Sequence, residues 1–335
     1  MVKDERGGKR ADSAKAYSGK YLKNIKMVER YTIVGILLGV VVFVAIALFG
    51  GVAPMAKLIS SMNANTYAMA FICVFGGYLL RYVKWEYYLG LIGLKVKKSK
   101  SFVIYMSLYS MNITPGKIGR IISAYTLNKV TKAGMSRIAP IIAMDIFTDF
   151  LGLAILTMIS AFYFGKDIIY IIGLEAILLI PLFIVLSGWG YKKIGKLFGG
   201  NSTFKRLKEH GDRYFAAQSN LNRPSVYIIS SVVTVPALVL NALGLYFTMK
   251  AFGLVPAIGK SIFTFSLAQL IGVVSMAPGT IGVTDGALVA LLGSIFGIGK
   301  ALSSAITITT RFATLWFGIG IGLIFLFYSF RYWKE

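Results

Sequence analysis

Residue types that build cross-linked, metal-binding or catalytic sites are scarce in this sequence. The 335 residues include one cysteine and one histidine. The single cysteine, Cys73, excludes an intramolecular disulfide, and the single histidine, His210, excludes a site built on several histidines. Only 13 residues are acidic, and the phosphate-binding pattern G-x-x-x-x-G-K-[ST] is absent. We therefore do not expect the chain to use ATP directly.

Apolar residues, in contrast, make up 56% of the chain, and the mean hydropathy is +0.72. These values exceed those of soluble domains of this size. The stretches 31–55 and 226–249 carry no charge, and each is longer than the roughly 20 residues that a membrane-crossing helix needs. The composition predicts an all-α, polytopic membrane helix bundle.

The charge is strongly one-sided, with 36 basic residues and a formal net charge of +23. The basic residues concentrate between the apolar runs, as the preference of cytoplasmic loops for Lys and Arg produces. This distribution favours contact with anionic lipid headgroups over nucleic acid binding. Residues 1–30 show no cleavable signal and are interpreted as a basic cytosolic tail. The predicted location is the plasma membrane, with both termini in the cytoplasm.

The alternation of apolar runs and basic loops predicts about six spans and two re-entrant hairpins within one membrane domain, residues 31–330. Each hairpin consists of two apolar runs too short to cross alone, separated by Pro-Gly. The expected spans are 31–51, 66–82, 138–164, 168–189, 225–249 and 302–330, the hairpins are 101–127 and 261–296, residues 190–224 form a cytosolic amphipathic loop, and residues 331–335 form a cytosolic tail.

The two hairpins share the pattern Pro-Gly-x-Ile-Gly, at residues 115–119 and 278–282. Each break lies between two spans, and the charge distribution gives the two units opposite orientations. Residues 66–164 and 225–330 are therefore predicted to form an inverted repeat. Such repeats place a substrate site near the midplane, where helix N-termini attract anionic groups. The alternative is a pair of kinked spans that small residues allow to pack closely.

Three charges occur inside apolar segments, where they are costly. Asp145 and Asp149 share one helical face, and Arg311 occupies nearly the same place in the second repeat as Asp149 in the first. The hypothesis is that Asp149 and Arg311 face each other across a polar cavity, with Asp145 as a proton site. A purely structural ion pair is the alternative.

Basic side chains also cluster near the first break, where they could hold a lipid phosphate or serve only as interfacial anchors. No cofactor or metal is expected. The candidate substrate-binding residues are Arg81, Lys84, Asn112, Pro115, Gly116, Lys117, Gly119, Arg120, Asp145, Asp149, Pro278, Gly279, Gly282, Asp285 and Arg311.

Residues 80–85, 112–119, 145–152, 278–292 and 311–318 together resemble a flippase-like membrane family. The family includes the lysylphosphatidylglycerol synthase transmembrane region, as in the flippase domain of the multiple peptide resistance factor. The most specific part is PGTIGVTDGAL at residues 278–288. The resemblance implies a lipid flippase, or a partner in lipid-linked glycan or aminoacyl-lipid pathways.

The chain departs from the pattern of this family at three places. Arg120 stands where an acidic residue is usual, Asp145-Ile146 replaces Glu-Arg, and Asp285 stands where Glu is common. No long polar stretch follows residue 330, so the resemblance does not lead us to expect aminoacyl transfer. The chain is not expected to be an enzyme.

The leading functional prediction is a transporter that moves an anionic phospholipid or a polyprenyl-phosphate-linked headgroup through a cavity between the repeats. A secondary transporter of a small anion or ion is an alternative, as is a non-catalytic membrane partner of a lipid-modifying or glycosylation enzyme. A membrane glycosyltransferase is less favoured, because residues 52–65 contain no acid. The expected partners are membrane lipids; a homodimer and a complex with a lipid-pathway enzyme stay open.

Overall fold

The computed structural model describes residues 33–34, 36–114, 119–163, 173, 221–275 and 277–333. Within these ranges every regular element is helical, which confirms the all-α fold. The helices are α1 (Ile36–Gly50), α2 (Val52–Ser61), α3 (Ala64–Leu91), α4 (Lys98–Ser107), α5 (Ile121–Thr131), α6 (Met135–Ala161), α7 (Pro224–Ala251), α8 (Ile258–Val274), α9 (Val283–Phe296), α10 (Lys300–Arg311) and α11 (Phe317–Ser329).

Shorter helical pieces join some of these helices. The 3-10 segment Leu108–Ile113 follows α4, and the 3-10 segment Pro278–Thr280 precedes α9. A π-helical segment, Phe312–Trp316, joins α10 to α11, and a last 3-10 segment covers Phe330–Trp333. The predicted span 168–189 and loop 190–224 lie largely outside the described residues, and the tail 1–30 lies wholly outside them.

The described helices confirm a multi-pass membrane protein. Five stretches are long and apolar enough to cross a membrane, and α1 with α2, bent by 97° between them, makes a sixth if the pair is counted as one span. One of the five is Pro278–Phe296, which the sequence predicts to be part of a hairpin. The re-entrant course of both hairpins stays a prediction.

The two halves of the chain share the turn that ends their longest helices. Helices α3 and α7 each have 28 residues, and each is followed by a glycine with positive φ, Gly93 or Gly253. The leucine after each glycine, Leu94 or Leu254, donates its N–H to the carbonyl five residues earlier. This is the Schellman arrangement, which a glycine permits because it carries no Cβ.

A second shared turn follows the breaks. Helices α5 and α9 each end at a residue in the left-handed conformation, Lys132 or Gly297, whose N–H bonds to the carbonyl four residues earlier. The links to the next helices, 132–134 and 297–299, have the same length. Two shared turns in the same order support a structural repeat. Its inverted orientation stays a prediction.

Helices from the two halves of the chain pack against each other. Helices α3 and α7 make the most extensive contact in the described part of the chain, α6 of the first half packs on α8, and α11 of the second half packs on α4. The approach of α3 to α7 is close at Gly77, where a Cβ would lie 2.7 Å from the carbonyl oxygen of Ala237. The core is therefore shared between the halves.

The two broken segments, Leu108–Ile113 and Pro278–Thr280, contact each other. Gly279 has φ +59°, and a Cβ at this residue would lie 3.3 Å from the Cα of Ile113. Both the backbone angle and the close approach favour glycine here. Irregular backbone inside a membrane is tolerated only where protein or a wet cavity surrounds it. The contact between the two segments surrounds each of them partly with protein.

Candidate functional site

A group of buried charges joins α3 to α6. Lys84 of α3 lies between two carboxylates of α6, with its Nζ 2.7 Å from Oδ1 of Asp149 and 3.0 Å from Oδ1 of Asp145. Lys84 is 1% exposed and Asp145 is 3% exposed. The four-residue spacing of the two acids places them on the same face of α6, so that a single ammonium group reaches both.

Arg120 connects the first break to the same carboxylates. It precedes α5 directly, and its Nη1 donates to Oδ2 of Asp145 at 2.8 Å. Its Nη2 donates to Oδ1 of Asn112 at 3.0 Å, and Asn112 lies in the 3-10 segment on the other side of the break. Arg120 thus holds both sides of the break to α6. Charge-assisted hydrogen bonds of this kind are stronger than neutral ones.

Arg81 completes the group, one helical turn before Lys84. Its Nε lies 3.7 Å from Oδ1 of Asp149, beyond hydrogen-bond distance. Among the described residues, no acceptor bonds the buried Nε atom of Arg81 or that of Arg120. Both arginines therefore keep N–H groups that another anion could use. We call Arg81, Lys84, Arg120, Asp145 and Asp149 the charge cluster.

The charge cluster has more positive than negative groups. It contains three cations and two carboxylates, and all five side chains are buried. A buried charge without a partner is expensive. An anion of charge −1 would balance the cluster and accept from the two Nε groups. The arrangement is therefore suited to holding a phosphate or a similar anion.

Hydroxyl groups position the cluster from one side. Lys84 donates to Oγ1 of Thr148 at 3.2 Å, and the hydroxyl of Tyr88 bonds both Thr148 and Ser230 of α7. None of these three hydroxyl residues was among the candidates that the sequence suggested. Thr148 lies between the two acids, three residues after Asp145, and this spacing was the one signal that could have found it. Nothing in the sequence separates Tyr88 and Ser230 from ordinary core residues.

A second ion pair lies at the second break. Nε of Arg311 donates to Oδ1 of Asp285 at 2.9 Å, and Oδ2 of the same carboxylate accepts the N–H of Gly282 at 2.7 Å. Nη2 of Arg311 donates to the carbonyl of Gly279 at 3.0 Å and lies 3.4 Å from Oγ1 of Thr280. This pair has equal numbers of positive and negative groups, and it ties α10 to the break.

The hypothesis that Asp149 and Arg311 face each other is wrong. Arg311 pairs with Asp285, and Asp149 pairs with Lys84. The two residues match in position along the repeats, but opposite charges within each half lie nearer. The partners Arg120 and Asp145 are 25 residues apart in the sequence, and Asp285 and Arg311 are 26 residues apart. The basic residue comes first in the first pair and second in the other.

The remaining candidates lie at the breaks. Gly119 donates its N–H to Oγ1 of Thr114 at 2.9 Å, and Pro278 begins the 3-10 segment of the second break. Pro115, Gly116 and Lys117 lie outside the described residues. Within the described part of the chain, no group of three His, Cys, Asp or Glu side chains could hold a metal ion.

The fold and the buried charges define a multi-pass, all-α membrane protein with ionic sites inside its helix bundle. The chain belongs to the lysylphosphatidylglycerol synthase TM region family, whose match covers residues 33–322. This finding confirms the family that the sequence motifs indicated.

Two relatives extend the comparison, both named UPF0104 membrane protein and both from Methanothermobacter thermautotrophicus. One is 24% identical over 314 residues, which cover 86% of this chain and 92% of the relative. The other is 22% identical over 309 residues, which cover 86% of this chain and 90% of the relative. The similarity therefore extends over nearly the full length of both relatives.

Proposed function

We propose that this protein moves lipids with an anionic headgroup across the membrane and catalyses no reaction on them. The observation that carries the proposal is the charge cluster, in which three buried cations face two buried carboxylates. One phosphodiester carries a single negative charge and would balance the excess, whereas a zwitterionic headgroup brings its own cation and would not. A phospholipid and a polyprenyl-phosphate-linked lipid share this phosphate chemistry.

The nature of the cations supports phosphate as the ligand. Two of the three are arginines, whose planar guanidinium groups match phosphate oxygens in a fork geometry. The Nε groups of Arg81 and Arg120 have no acceptor among the described residues, so both could bond a phosphate without breaking an existing hydrogen bond. Lys84 already contacts both acids and would act mainly as a point charge.

The position of the cluster supports movement of the ligand rather than static binding. Arg120 lies directly after the first break, and Asn112, which it bonds, lies directly before it. Helices that are broken at a central site are typical of transporters that alternate between two openings. The contact between the two breaks at Gly279 and Ile113 would separate those openings.

Three further properties belong to the proposal. The protein resides in the plasma membrane, and both termini face the cytoplasm, because the basic loops follow the positive-inside preference. Its partners are anionic lipids, and an enzyme of a lipid pathway would supply or consume the transported lipid.

The test is lipid transfer by the purified protein in liposomes. Fluorescent lipids with anionic or zwitterionic headgroups are placed in the vesicles, and a membrane-impermeant reductant reports which molecules reach the outer leaflet. We expect anionic lipids to move at least about tenfold faster than in empty vesicles, and zwitterionic lipids to move at the background rate. Uptake of radiolabelled phosphate without lipid movement would instead identify a small-anion transporter.

A further inference from the structure

Helix α10 carries a stripe of buried hydroxyl groups that have no hydrogen-bond partner. Ser304, Thr307 and Thr310 are each 0% exposed, and no described residue bonds their side-chain oxygens. Their three-residue spacing places them on successive turns of one helical face. Arg311 continues this face, seven residues after Ser304. We call Ser304, Thr307 and Thr310 the hydroxyl stripe.

The absence of partners is unusual for Ser and Thr in a helix. Such side chains commonly donate to the carbonyl four residues earlier. Thr309 on the same helix does so with Ala305 at 2.7 Å, and Thr314 does so with Thr310 at 2.8 Å. The three hydroxyls of the stripe make no such bond. Leaving buried polar groups unsatisfied costs free energy, and each such group in a native structure calls for an explanation.

The stripe runs between two features of the bundle. At one end, the hydroxyl of Ser304 lies 2.8 Å from where a Cβ on Gly50 would stand, at the bend between α1 and α2. At the other end, Arg311 donates to the carbonyl of Gly279 in the second break. Gly279 contacts Ile113 of the first break.

The charge cluster is linked to the same contact from the other side. Asn112 precedes Ile113 and bonds Arg120 of the cluster. The hydroxyl stripe and the charge cluster are therefore both connected to the contact between the two breaks, the stripe through Arg311 and the cluster through Asn112.

We propose that the hydroxyl stripe lines the second half of the headgroup route, a passage that is closed in the described conformation and fills with water when it opens. The proposal rests on the proposed function. It adds the path that the lipid headgroup follows after it leaves the charge cluster. Hydroxyl groups can both donate to phosphate and accept from hydroxyls of a headgroup. They carry no charge, and Asp285 already neutralises Arg311. The stripe would pass the headgroup on without retaining it, as conduction requires.

Cysteine labelling tests whether water enters this passage. The chain has one cysteine, so Cys73→Ser provides a background in which Ser304→Cys, Thr307→Cys and Thr310→Cys are made singly. The matched controls are Ala305→Cys and Ile306→Cys, because both residues are equally buried on the same helix. A water-soluble methanethiosulfonate reagent labels each variant in proteoliposomes.

We expect Thr307→Cys to react at least about tenfold faster than Ile306→Cys. Equal reactivity of the stripe and control positions would overturn the proposal. Labelling requires no lipid movement, so the two proposals fail separately. Fast labelling of the stripe without lipid transfer would leave a hydrated passage but remove its role for lipids.

A second variant tests the same point in a different way. Thr307→Val keeps the shape of the side chain and removes the hydroxyl. We expect Thr307→Val to slow the labelling of Thr310→Cys at least about tenfold, because apolar linings keep water out of a passage. An unchanged labelling rate in the folded double variant would contradict the proposal.

Discussion

At the residue scale, each of these buried charges pairs with an opposite charge from its own half of the chain. The sequence identified Asp145, Asp149 and Arg311 as costly in a membrane, because each interrupts an apolar run. It could not identify their partners, because residues 25 or 26 positions apart meet only through the turn between two helices. Spacing from the Pro-Gly motif matched Asp149 with Arg311, whereas Coulomb attraction falls with distance and favours the nearer partner.

The second ion pair gives a prediction about stability. Asp285→Asn keeps an oxygen for the N–H of Gly282 but leaves the buried Arg311 without a counter-charge. We expect a loss of about 3–5 kcal/mol of unfolding free energy, as for other broken buried pairs. Adding Arg311→Met removes the unpaired charge and should recover a large part of that loss. Denaturant titration of the single and double variants in detergent measures this, and additive losses would contradict the pairing.

At the element scale, the breaks and turns are the features that position the site. The Pro-Gly-x-Ile-Gly pattern predicted the second break correctly, since Gly279 has a positive φ in a 3-10 segment. The sequence did not reveal which glycines elsewhere carry close contacts. Helix α11 contains Gly318, Gly320 and Gly322, and a sequence cannot tell which of them faces another backbone.

Helix α11 therefore offers a matched pair of substitutions. A Cβ at Gly322 would lie 2.0 Å from the backbone N of Ser110, whereas a Cβ at Gly320 would meet nothing within 4 Å. We expect Gly322→Ala to destabilise the protein by about 1–3 kcal/mol or more, because α11 must move away from the first break. Gly320→Ala should be neutral or stabilising by about 0.5–1 kcal/mol. Thermal unfolding of both variants tests this, and equal effects would show that the contact is not tight.

At the scale of the whole molecule, the two halves share their order of helices and two types of turn. The sequence predicted an inverted repeat from one five-residue motif and the distribution of charge, and the inversion stays a prediction. It did not predict the exchange in which α6 packs on α8 and α11 packs on α4, because contacts between distant helices depend on side-chain shape. The predicted inverted orientation has one clear consequence for accessibility.

The turns after α3 and α7 should face opposite sides of the membrane. Lys95 and Val255 occupy the same place in these turns, two residues after Gly93 and Gly253, and both are exposed. In a Cys73→Ser background, a membrane-impermeant thiol reagent outside intact cells should label Val255→Cys and leave Lys95→Cys unlabelled until the cells are opened. Labelling of both variants from the same side would rule out the inverted repeat.

The claim that the charge cluster binds the headgroup is tested most directly by removing its excess positive charge. Arg81 is the suitable position, because its contact with Asp149 is 3.7 Å long and Lys84 would still neutralise that carboxylate. Arg81→Gln should therefore retain the fold. The matched control is Lys95→Gln, which removes the same charge from an exposed residue outside the cluster.

The measurement is the rate of anionic-lipid transfer in liposomes that contain the wild-type protein, Arg81→Gln or Lys95→Gln. We predict that Arg81→Gln reduces the rate by about tenfold or more, while Lys95→Gln transfers lipid like the wild type. Equal rates for Arg81→Gln and the wild type, with both proteins folded, would contradict a role for the charge cluster in headgroup binding.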